Sequence, residues 1–350
     1  MKYPADLKKG DKIGFPAPSF GCATEPYYSA FQNSINKWRA LGYEPHPGVN
    51  AYSNCGVGIS NTPQLCGKEF TDMYLNREDK ILISCGGGEL MCEILDFVDF
   101  QAIKEAPPKW FVGYSDNTNM TYLLATICDV AGIYGPCAGT YGMEPWHKSL
   151  EDVHKILLGK KSMVTGYDMW EKESLKDEKN PLVPYNVTEP RSTKAFYNGI
   201  FMDSPDKIAE EIILSGRLLG GCMDCLINLV GTCYDKTEDF IERYKEDGIL
   251  WFMEACELNA FSMRRAMWQM EHAGWFRNVK GFVFGRPRCR ESIGGLDVYE
   301  AVLAVAGRYN VPIIFDVDMG HLPPMMPLII GSLSEVHVKG NDIKIDMKRV

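Results

Sequence analysis

The stretch that decides the fold of this chain is Gly113-Tyr114-Ser115-Asp116-Asn117, a short polar turn between two apolar segments. Before the turn, Trp110-Phe111-Val112 has the continuous apolar character of a buried strand. After it, residues 118–130 (TNMTYLLATICDV) carry apolar side chains at the three-and-four spacing of an amphipathic helix. A strand followed at once by a helix is the repeating unit of a parallel α/β sheet.

The same alternation extends over residues 1–165. Strands are predicted at 12–19, 80–84 and 133–135, and helices at 25–41 and 89–97. We therefore predict an N-terminal domain with a layered parallel sheet, of the flavodoxin or class I amidotransferase type. Ligands of such sheets bind beyond the carboxyl ends of the strands, where the turn at 113–117 would lie.

A second α/β domain is predicted over residues 196–350, with strands at 248–253, 281–285 and 312–317 and a closing hairpin at 335–347. Residues 166–195 between the domains are charged, carry several prolines and have no sustained periodicity. We interpret them as a linker or a loop that covers the substrate. Trp170 in this loop argues against a purely solvated linker, because large aromatic side chains are seldom left without a partner.

Composition limits the function. The chain has 350 residues, 45% hydrophobic residues and a net charge of −9, so it is a globular protein without the basic patches that nucleic-acid binding needs. No apolar run approaches the roughly 18 residues of a membrane helix. The first residues, MKYPADLKKGDKIGF, do not resemble a signal peptide, and we expect a cytoplasmic protein.

The cysteines do not form a convincing metal-binding pattern. Cys222 and Cys225 have the spacing of a zinc or redox pair, but no second pair stands at a zinc-ribbon distance. We expect no metal and no cofactor, and the role of this pair stays open.

Ser115 is the candidate nucleophile. A serine at a strand-to-helix turn exposes its hydroxyl, and the helix that follows supplies N–H groups and a positive dipole end. The alternative is that Ser115, Asp116 or Asn117 merely caps this helix.

A serine nucleophile needs a base and a carboxylate that orients the base. Of the six histidines, only His321 follows a predicted strand (312–317) at the edge where active-site loops collect. Glu254 ends the strand 248–253, where its alternative role is to cap the next helix. Ser115, Glu254 and His321 are thus three strand-end residues in the order nucleophile, acid, base.

The glycine run Gly86–Gly88 also follows a predicted strand. Backbone N–H groups of Gly87 and Gly88, together with that of Asp116, are candidates to bind a developing oxyanion. The alternative is an ordinary tight turn.

These motifs together resemble the LD-carboxypeptidase family of serine peptidases, which includes the microcin C immunity proteins. The resemblance covers nearly the whole chain. Its motifs are 7–13 (LKKGDKI), 17–19 (APS), the glycine turn, 113–116 (GYSD), 220–221 (GG), 231–232 (GT), 252–254 (FME) and 318–321 (DMGH).

The resemblance implies a Ser115–Glu254–His321 triad, no metal, two domains and a homodimer. The expected activity is a serine carboxypeptidase that cleaves an amide bond next to a free carboxylate. Its substrate would be a murein tetrapeptide, in peptidoglycan recycling, or an aminoacyl nucleotide like microcin C.

The chain departs from the family pattern in two places. Gly88 stands where the family usually carries an aromatic residue, which affects the local shape of the oxyanion hole. The long segment 166–195 resembles the immunity-protein branch, where an aromatic loop covers the nucleotide part of the substrate, and Trp170 is the candidate for that contact.

Two other functions fit the same sequence. Cys85 also sits at a strand end and could serve as the nucleophile of a cysteine amidohydrolase. The chain could also be a non-catalytic module that binds a peptide or another small molecule.

Overall fold

The computed structural model describes all 350 residues, which form two units. The first unit comprises residues 1–161 and 173–186, and the second comprises residues 162–172 and 187–350. The predicted loop 166–195 is therefore divided between the units. No helix in either unit combines the length and the apolar character that crossing a membrane requires.

The first unit is a parallel sheet with helices between its strands, as the alternating pattern predicts. Its strands are β1 (Lys12–Phe15), β2 (Glu44–Pro47), β3 (Asp79–Ile83), β4 (Trp110–Gly113) and β5 (Gly132–Tyr134). Its helices are α1 (Tyr27–Ala40), α2 (Pro63–Leu75), α3 (Phe100–Glu105), α4 (Thr118–Thr126) and α5 (Lys148–Leu157). The strands lie in the order β5-β4-β3-β1-β2, so β4 has a neighbouring strand on each side, and it is buried along its whole length.

Helix α4 is enclosed by protein on all sides. Every residue of this helix is buried, which explains why its sequence is apolar beyond a single stripe. The turn between β4 and α4 is thereby held at both ends by rigid, buried elements.

The second unit is built on a nine-stranded mixed sheet. The unit has twelve strands, nine of which form this sheet: β6 (Met163–Thr165), β7 (Met169–Glu171), β8 (Val187–Pro190), β9 (Lys194–Tyr197), β10 (Ile200–Met202), β11 (Ile212–Cys222), β12 (Ile249–Glu254), β13 (Val279–Gly285), β14 (Ile313–Val317), β15 (Leu328–Ile330), β16 (Leu333–Lys339) and β17 (Asp342–Lys348). Its helices are α6 (Met223–Leu229), α7 (Thr237–Arg243), α8 (Ala260–His272) and α9 (Val298–Ala306).

Four neighbouring parallel strands, β11 to β14, form the centre of this sheet. Antiparallel strands complete it on either side, in the overall order β10-β9-β14-β13-β12-β11-β16-β17-β6. Strands β7 and β8 pair separately as an antiparallel ribbon. Because β11 to β14 run in one direction, residues that follow them meet at one edge of the sheet.

Candidate active site

Ser115 lies in a strained turn directly after β4. The backbone leaves Gly113, passes through a short 3₁₀ turn at Ser115–Asn117 and enters α4. The φ angle of Ser115 is +62°, a value that residues with a Cβ adopt rarely and at a cost of about 1–3 kcal/mol. Its N–H donates to the hydroxyl of Tyr134, 3.3 Å away. A serine held in a strained strand-to-helix turn is the geometry of a nucleophile elbow.

The two residues after Ser115 anchor the turn to its surroundings. The side-chain amide of Asn117 donates to the carbonyl oxygens of Gly86 (2.8 Å) and Tyr114 (3.1 Å). The carboxylate of Asp116 accepts from the hydroxyl of Ser19 (2.6 Å) and from the N–H of Met91 (3.0 Å). Asn117 makes no side-chain capping bond to α4. These side chains therefore fix the elbow to the neighbouring loops.

The Asp116 carboxyl is deeply buried at this turn, with 3% of the residue exposed. Burial raises its pKa to about 6, and the hydrogen bonds from Ser19, Met91 and Asn119 limit the rise.

The glycine turn lies beside Ser115. A methyl group on Gly87 would come within 3.4 Å of the Ser115 Oγ, so the backbone at Gly87 is close to the hydroxyl. The carbonyl of Gly87 accepts from the N–H of Phe20 at 2.8 Å, which fixes the orientation of that peptide group. Its position beside Ser115 suits the predicted oxyanion role of Gly87, Gly88 and the Asp116 N–H, which stays a prediction.

Cys85, the rival nucleophile, is a buried thiol. Only 1% of the residue is exposed, and its Sγ donates to the carbonyl of Phe15 at 3.3 Å. Burial raises the pKa of this thiol well above its ordinary value. Because the thiolate is the reactive form, these surroundings disfavour a nucleophilic role for Cys85.

In the second unit, Glu254 and His321 form a hydrogen-bonded pair. Glu254 is the last residue of β12, and 1% of it is exposed. Its Oε2 lies 2.9 Å from Nδ1 of His321, which follows β14 in the chain. Burial alone lowers the pKa of His321, but the Glu254 carboxylate and the Cys256 side chain together outweigh this effect and raise the pKa well above 6.5. The carboxylate thus stabilises the imidazolium, as the orienting acid of a triad does.

The loop that carries His321 is shaped by Gly320. Its φ angle is +94°, and a Cβ at this position would lie 2.5 Å from Oε2 of Glu254. Only glycine combines this backbone conformation with so close an approach to the carboxylate. The glycine of the DMGH motif therefore has a direct structural role.

A second carboxylate, Asp318, fixes the start of the same loop. It is fully buried and accepts hydrogen bonds from Arg286 Nη1 (2.6 Å), Arg191 Nη1 (3.2 Å) and the Tyr167 N–H (2.7 Å). Both guanidinium groups are almost fully buried. Sequence reasoning missed this positioning network, because its members are far apart in the chain and only the motif position of Asp318 was visible.

The structure also brings Cys222 to this edge of the sheet. Cys222 ends β11 and is the register partner of Glu254 on the adjacent parallel strand. Donor atoms of Cys222, Glu254 and His321 all lie within 4.8 Å of one another. The sequence singled out Cys222 only for its spacing from Cys225.

Trp170 lies in β7, and about a tenth of its surface is exposed. Its indole N–H donates to the carbonyl of Pro190 at 3.2 Å. Its ring lies near the guanidinium carbons of Arg286 (5.2 Å) and Arg290 (5.8 Å). This packing favours a structural role for Trp170 within the second unit, and a substrate-binding role stays a prediction.

The remaining histidines have other surroundings, as their positions in the sequence suggest. His46 is paired with Asp79 at the amino end of β3, and His154 lies against the Tyr43 hydroxyl. His337 lies between Glu335 and Glu211. None of these residues follows the carboxyl end of a central strand, where His321 lies.

Comparisons with known proteins agree with these motifs. The LD-carboxypeptidase N-terminal domain matches residues 13–135, and the LD-carboxypeptidase C-terminal domain matches residues 215–336. A related sequence is the microcin C7 self-immunity protein MccF of Escherichia coli, 24% identical over 351 residues that cover 97% of this chain and 94% of MccF.

Solved structures show the same fold. MccF in complex with glutamyl sulfamoyl guanosine has a TM-score of 0.78 at 20% identity, with 99% of each chain covered. The muramoyltetrapeptide carboxypeptidase of Oxalobacter formigenes has a TM-score of 0.70 at 17% identity, with 96% of this chain and 98% of that chain covered.

The matched N-terminal domain contains the Ser115 elbow, and the matched C-terminal domain contains Glu254 and His321. Since the two matches together take in more than half of the chain, this protein belongs to the LD-carboxypeptidase family of peptidases.

Proposed function

We propose that this protein is a serine carboxypeptidase that hydrolyses an amide bond next to a free carboxylate. Ser115 is the nucleophile, His321 the general base and Glu254 the residue that orients the imidazole. The observation that carries the proposal is the buried Glu254 carboxylate hydrogen-bonded to Nδ1 of His321, the contact by which the acid of a serine triad orients the imidazole. The strained elbow at Ser115 supports the same assignment.

The reaction proceeds in two balanced steps. Ser115 Oγ attacks the amide carbon while its proton passes to His321, and the tetrahedral intermediate places its negative oxygen near backbone N–H groups of Gly87, Gly88 and Asp116. His321 then protonates the leaving nitrogen, which departs and leaves an acyl ester on Ser115. In the second step a water molecule, deprotonated by His321, releases the acid and restores the serine.

The substrate is proposed to be a small molecule of one of two classes. MccF has been solved with glutamyl sulfamoyl guanosine and with aspartyl sulfamoyl adenosine, which favours an aminoacyl nucleotide. The likeness to a muramoyltetrapeptide carboxypeptidase favours a murein tetrapeptide. Both substrates should be assayed side by side, with the released amino acid or peptide identified by mass spectrometry.

The decisive variants are Ser115→Ala and Cys85→Ala. Removing one member of a triad removes covalent catalysis as a unit, so Ser115→Ala should fold normally and lose roughly 10³-fold or more of turnover. Cys85→Ala should retain most activity. An inactive Cys85→Ala with an active Ser115→Ala would overturn the assignment. Failure of folded wild-type protein to react with a fluorophosphonate probe, together with no turnover, would favour a binding module.

We also propose a cytoplasmic homodimer. All twelve cysteines are free thiols, the state that a reducing compartment maintains. Light scattering of the purified protein tests the dimer, and a mass of one chain, 39.4 kDa, would refute it.

A further inference from the structure

A cluster of three different metal-ligating groups lies at the carboxyl edge of the second sheet. Cys222 and Glu254 end the adjacent parallel strands β11 and β12 in register, and His321 follows β14. Their sulfur, oxygen and nitrogen donors are within 4.8 Å of one another. Cys222 and Glu254 are almost completely buried, so these donors are held by the sheet rather than by mobile loops.

The donor types match zinc. Thiolate, imidazole and carboxylate ligands suit Zn²⁺, whereas Mg²⁺ and Ca²⁺ require oxygen ligands. The contact with Cys225, together with burial, raises the pKa of the Cys222 thiol well above its ordinary value, so the metal ion itself must displace the thiol proton. Zinc bonds of about 2.0–2.3 Å in a tetrahedral site place neighbouring donors about 3.4–3.6 Å apart, and the present donors lie within 4.8 Å of one another.

Zinc on either nitrogen of His321 prevents this residue from acting as a base. Nδ1 lies 2.9 Å from Oε2 of Glu254, so an ion bound to both atoms must displace the proton between them and push the two donors apart to the tetrahedral spacing. An ion bound to Nε2 instead occupies the atom that would accept the serine proton.

We propose that Cys222, Glu254 and His321 form a Zn²⁺ site whose occupation reversibly inhibits the enzyme. On binding, the Zn–S bond replaces the S–H bond of Cys222, the thiol proton leaves to solvent and Zn²⁺ keeps its charge. The proton on the His321 nitrogen that binds the ion leaves to solvent if the imidazole is charged and moves to the other ring nitrogen if it is neutral. No electron is transferred, and a chelator reverses the process. The inhibition rests on the proposed serine mechanism, but zinc binding at these residues does not.

The pair Cys222 and Cys225 offers a competing arrangement. Cys225 lies in α6, one turn after Cys222, and its thiol contacts that of Cys222, but it is outside the cluster of converging donors. If the cysteine pair were the site, both cysteines would be needed equally. In the proposed site, zinc binding requires Cys222 but not Cys225, so Cys225→Ala is the matched control.

Binding is measured first, with chelator-treated full-length protein titrated with Zn²⁺ against a fluorescent zinc indicator. Wild type should bind one Zn²⁺ per chain, and Cys225→Ala should bind with nearly the same affinity. Cys222→Ala and the closer replacement Cys222→Ser should weaken binding by about a hundredfold or more, since even residues that only support a ligand cost 10–100-fold. Cobalt substituted for zinc should show a thiolate charge-transfer band in wild type that Cys222→Ser lacks. Circular dichroism confirms that each variant is folded.

Turnover is measured next, on both substrates with and without added Zn²⁺. Wild type and Cys225→Ala should be inhibited and should recover with chelator, whereas Cys222→Ser should stay active. Any of three results would overturn the proposal: no zinc binding, an equal loss of zinc binding in Cys222→Ser and Cys225→Ala, or activation of the enzyme by zinc. If neither substrate is turned over, the proposed function fails while the binding titration still decides the zinc site.

Discussion

Replacing Glu254 with glutamine tests the proposed mechanism most directly. The amide keeps the shape of the side chain and can still accept the Nδ1 proton of His321, so the fold should persist. What disappears is the negative charge 2.9 Å from the ring. Because a charged imidazolium forms only as Ser115 is deprotonated, the loss should fall on kcat rather than on substrate binding.

The magnitude follows from the separation of the charges. Both charges are delocalised, one over the imidazole ring and one over the carboxylate, so their centres lie farther apart than the 2.9 Å between Nδ1 and Oε2. Unit charges about 4 Å apart at an effective dielectric constant of about 20 interact by about 4 kcal/mol. Since about 1.4 kcal/mol corresponds to a factor of ten, kcat should fall by about 10³. An amide can also favour the wrong imidazole tautomer, and the same replacement in a serine–histidine–aspartate triad costs about 10⁴. We expect a loss between these values.

The assay is steady-state hydrolysis of the better substrate, with a melting curve for each variant. Glu257→Gln is the matched control, because it removes the same charge from an exposed side chain three residues along. In a His321→Gln background, Glu254→Gln should cost little more, since the two residues act as a unit. A folded Glu254→Gln protein with kcat within tenfold of wild type would refute the reasoning and leave Glu254 a structural role.

Three further predictions concern the same region. In chelator-treated protein, turnover should rise with pH through the pKa of His321, which Glu254 raises above 6.5, because only the neutral imidazole accepts a proton. In Glu254→Gln this rise in turnover should occur at lower pH, and an unchanged pH profile would contradict the pairing. Gly320→Ala should lower both the melting temperature and kcat, because its Cβ meets the Glu254 carboxylate at 2.5 Å; a fully active variant would show that the loop adapts. Trp170→Ala should destabilise the fold by about 3 kcal/mol or more and reduce turnover of both substrates alike; an unchanged melting curve with a selective loss on the nucleotide substrate would instead support stacking.

Much of the fold can be predicted from the sequence because the central strands are continuous apolar runs. The predicted strands at 110–112, 248–253 and 312–317 are confirmed to within about one residue at either end, and the predicted helix 25–41 is confirmed as α1 (Tyr27–Ala40). These elements end at turns where the chain also places Ser115, Glu254 and His321. Strand-end position was therefore enough to select the candidate residues.

Strand β11 shows where the sequence signal fails. Its sequence, IILSGRLLGGC, contains three glycines that interrupt the apolar run, so the sequence pattern does not predict a strand here. In the structure Gly220 lies so close to β12 that a Cβ would be 1.7 Å from the carbonyl oxygen of Phe252. The glycines permit this close packing. Because the sequence does not predict β11, it gives no sign that Cys222 ends a strand in register with Glu254.

Two other features depend on tertiary contacts that local patterns do not encode. The segment 89–97 is a 3₁₀ helix over Met91–Phe97 rather than an α-helix, and the Asp116 carboxylate accepts from its first N–H. The positive φ angle of Ser115 is likewise imposed by the buried elements on either side of the turn. A serine gives no local preference for this conformation.

The ribbon formed by β7 and β8 has a consequence for how this protein can diversify. Its strands pair at Met169–Pro190 and Trp170–Glu189, and the Glu171 N–H donates to the carbonyl of Pro323, two residues after His321. After β7 the chain leaves the second unit, runs through residues 173–186 of the first unit and returns to the second unit at β8. Along the chain, residues 173–186 are thus separated from the loop of His321 by the paired strands β7 and β8. We therefore expect related proteins to differ more in the length and sequence of this segment than in the residues next to His321.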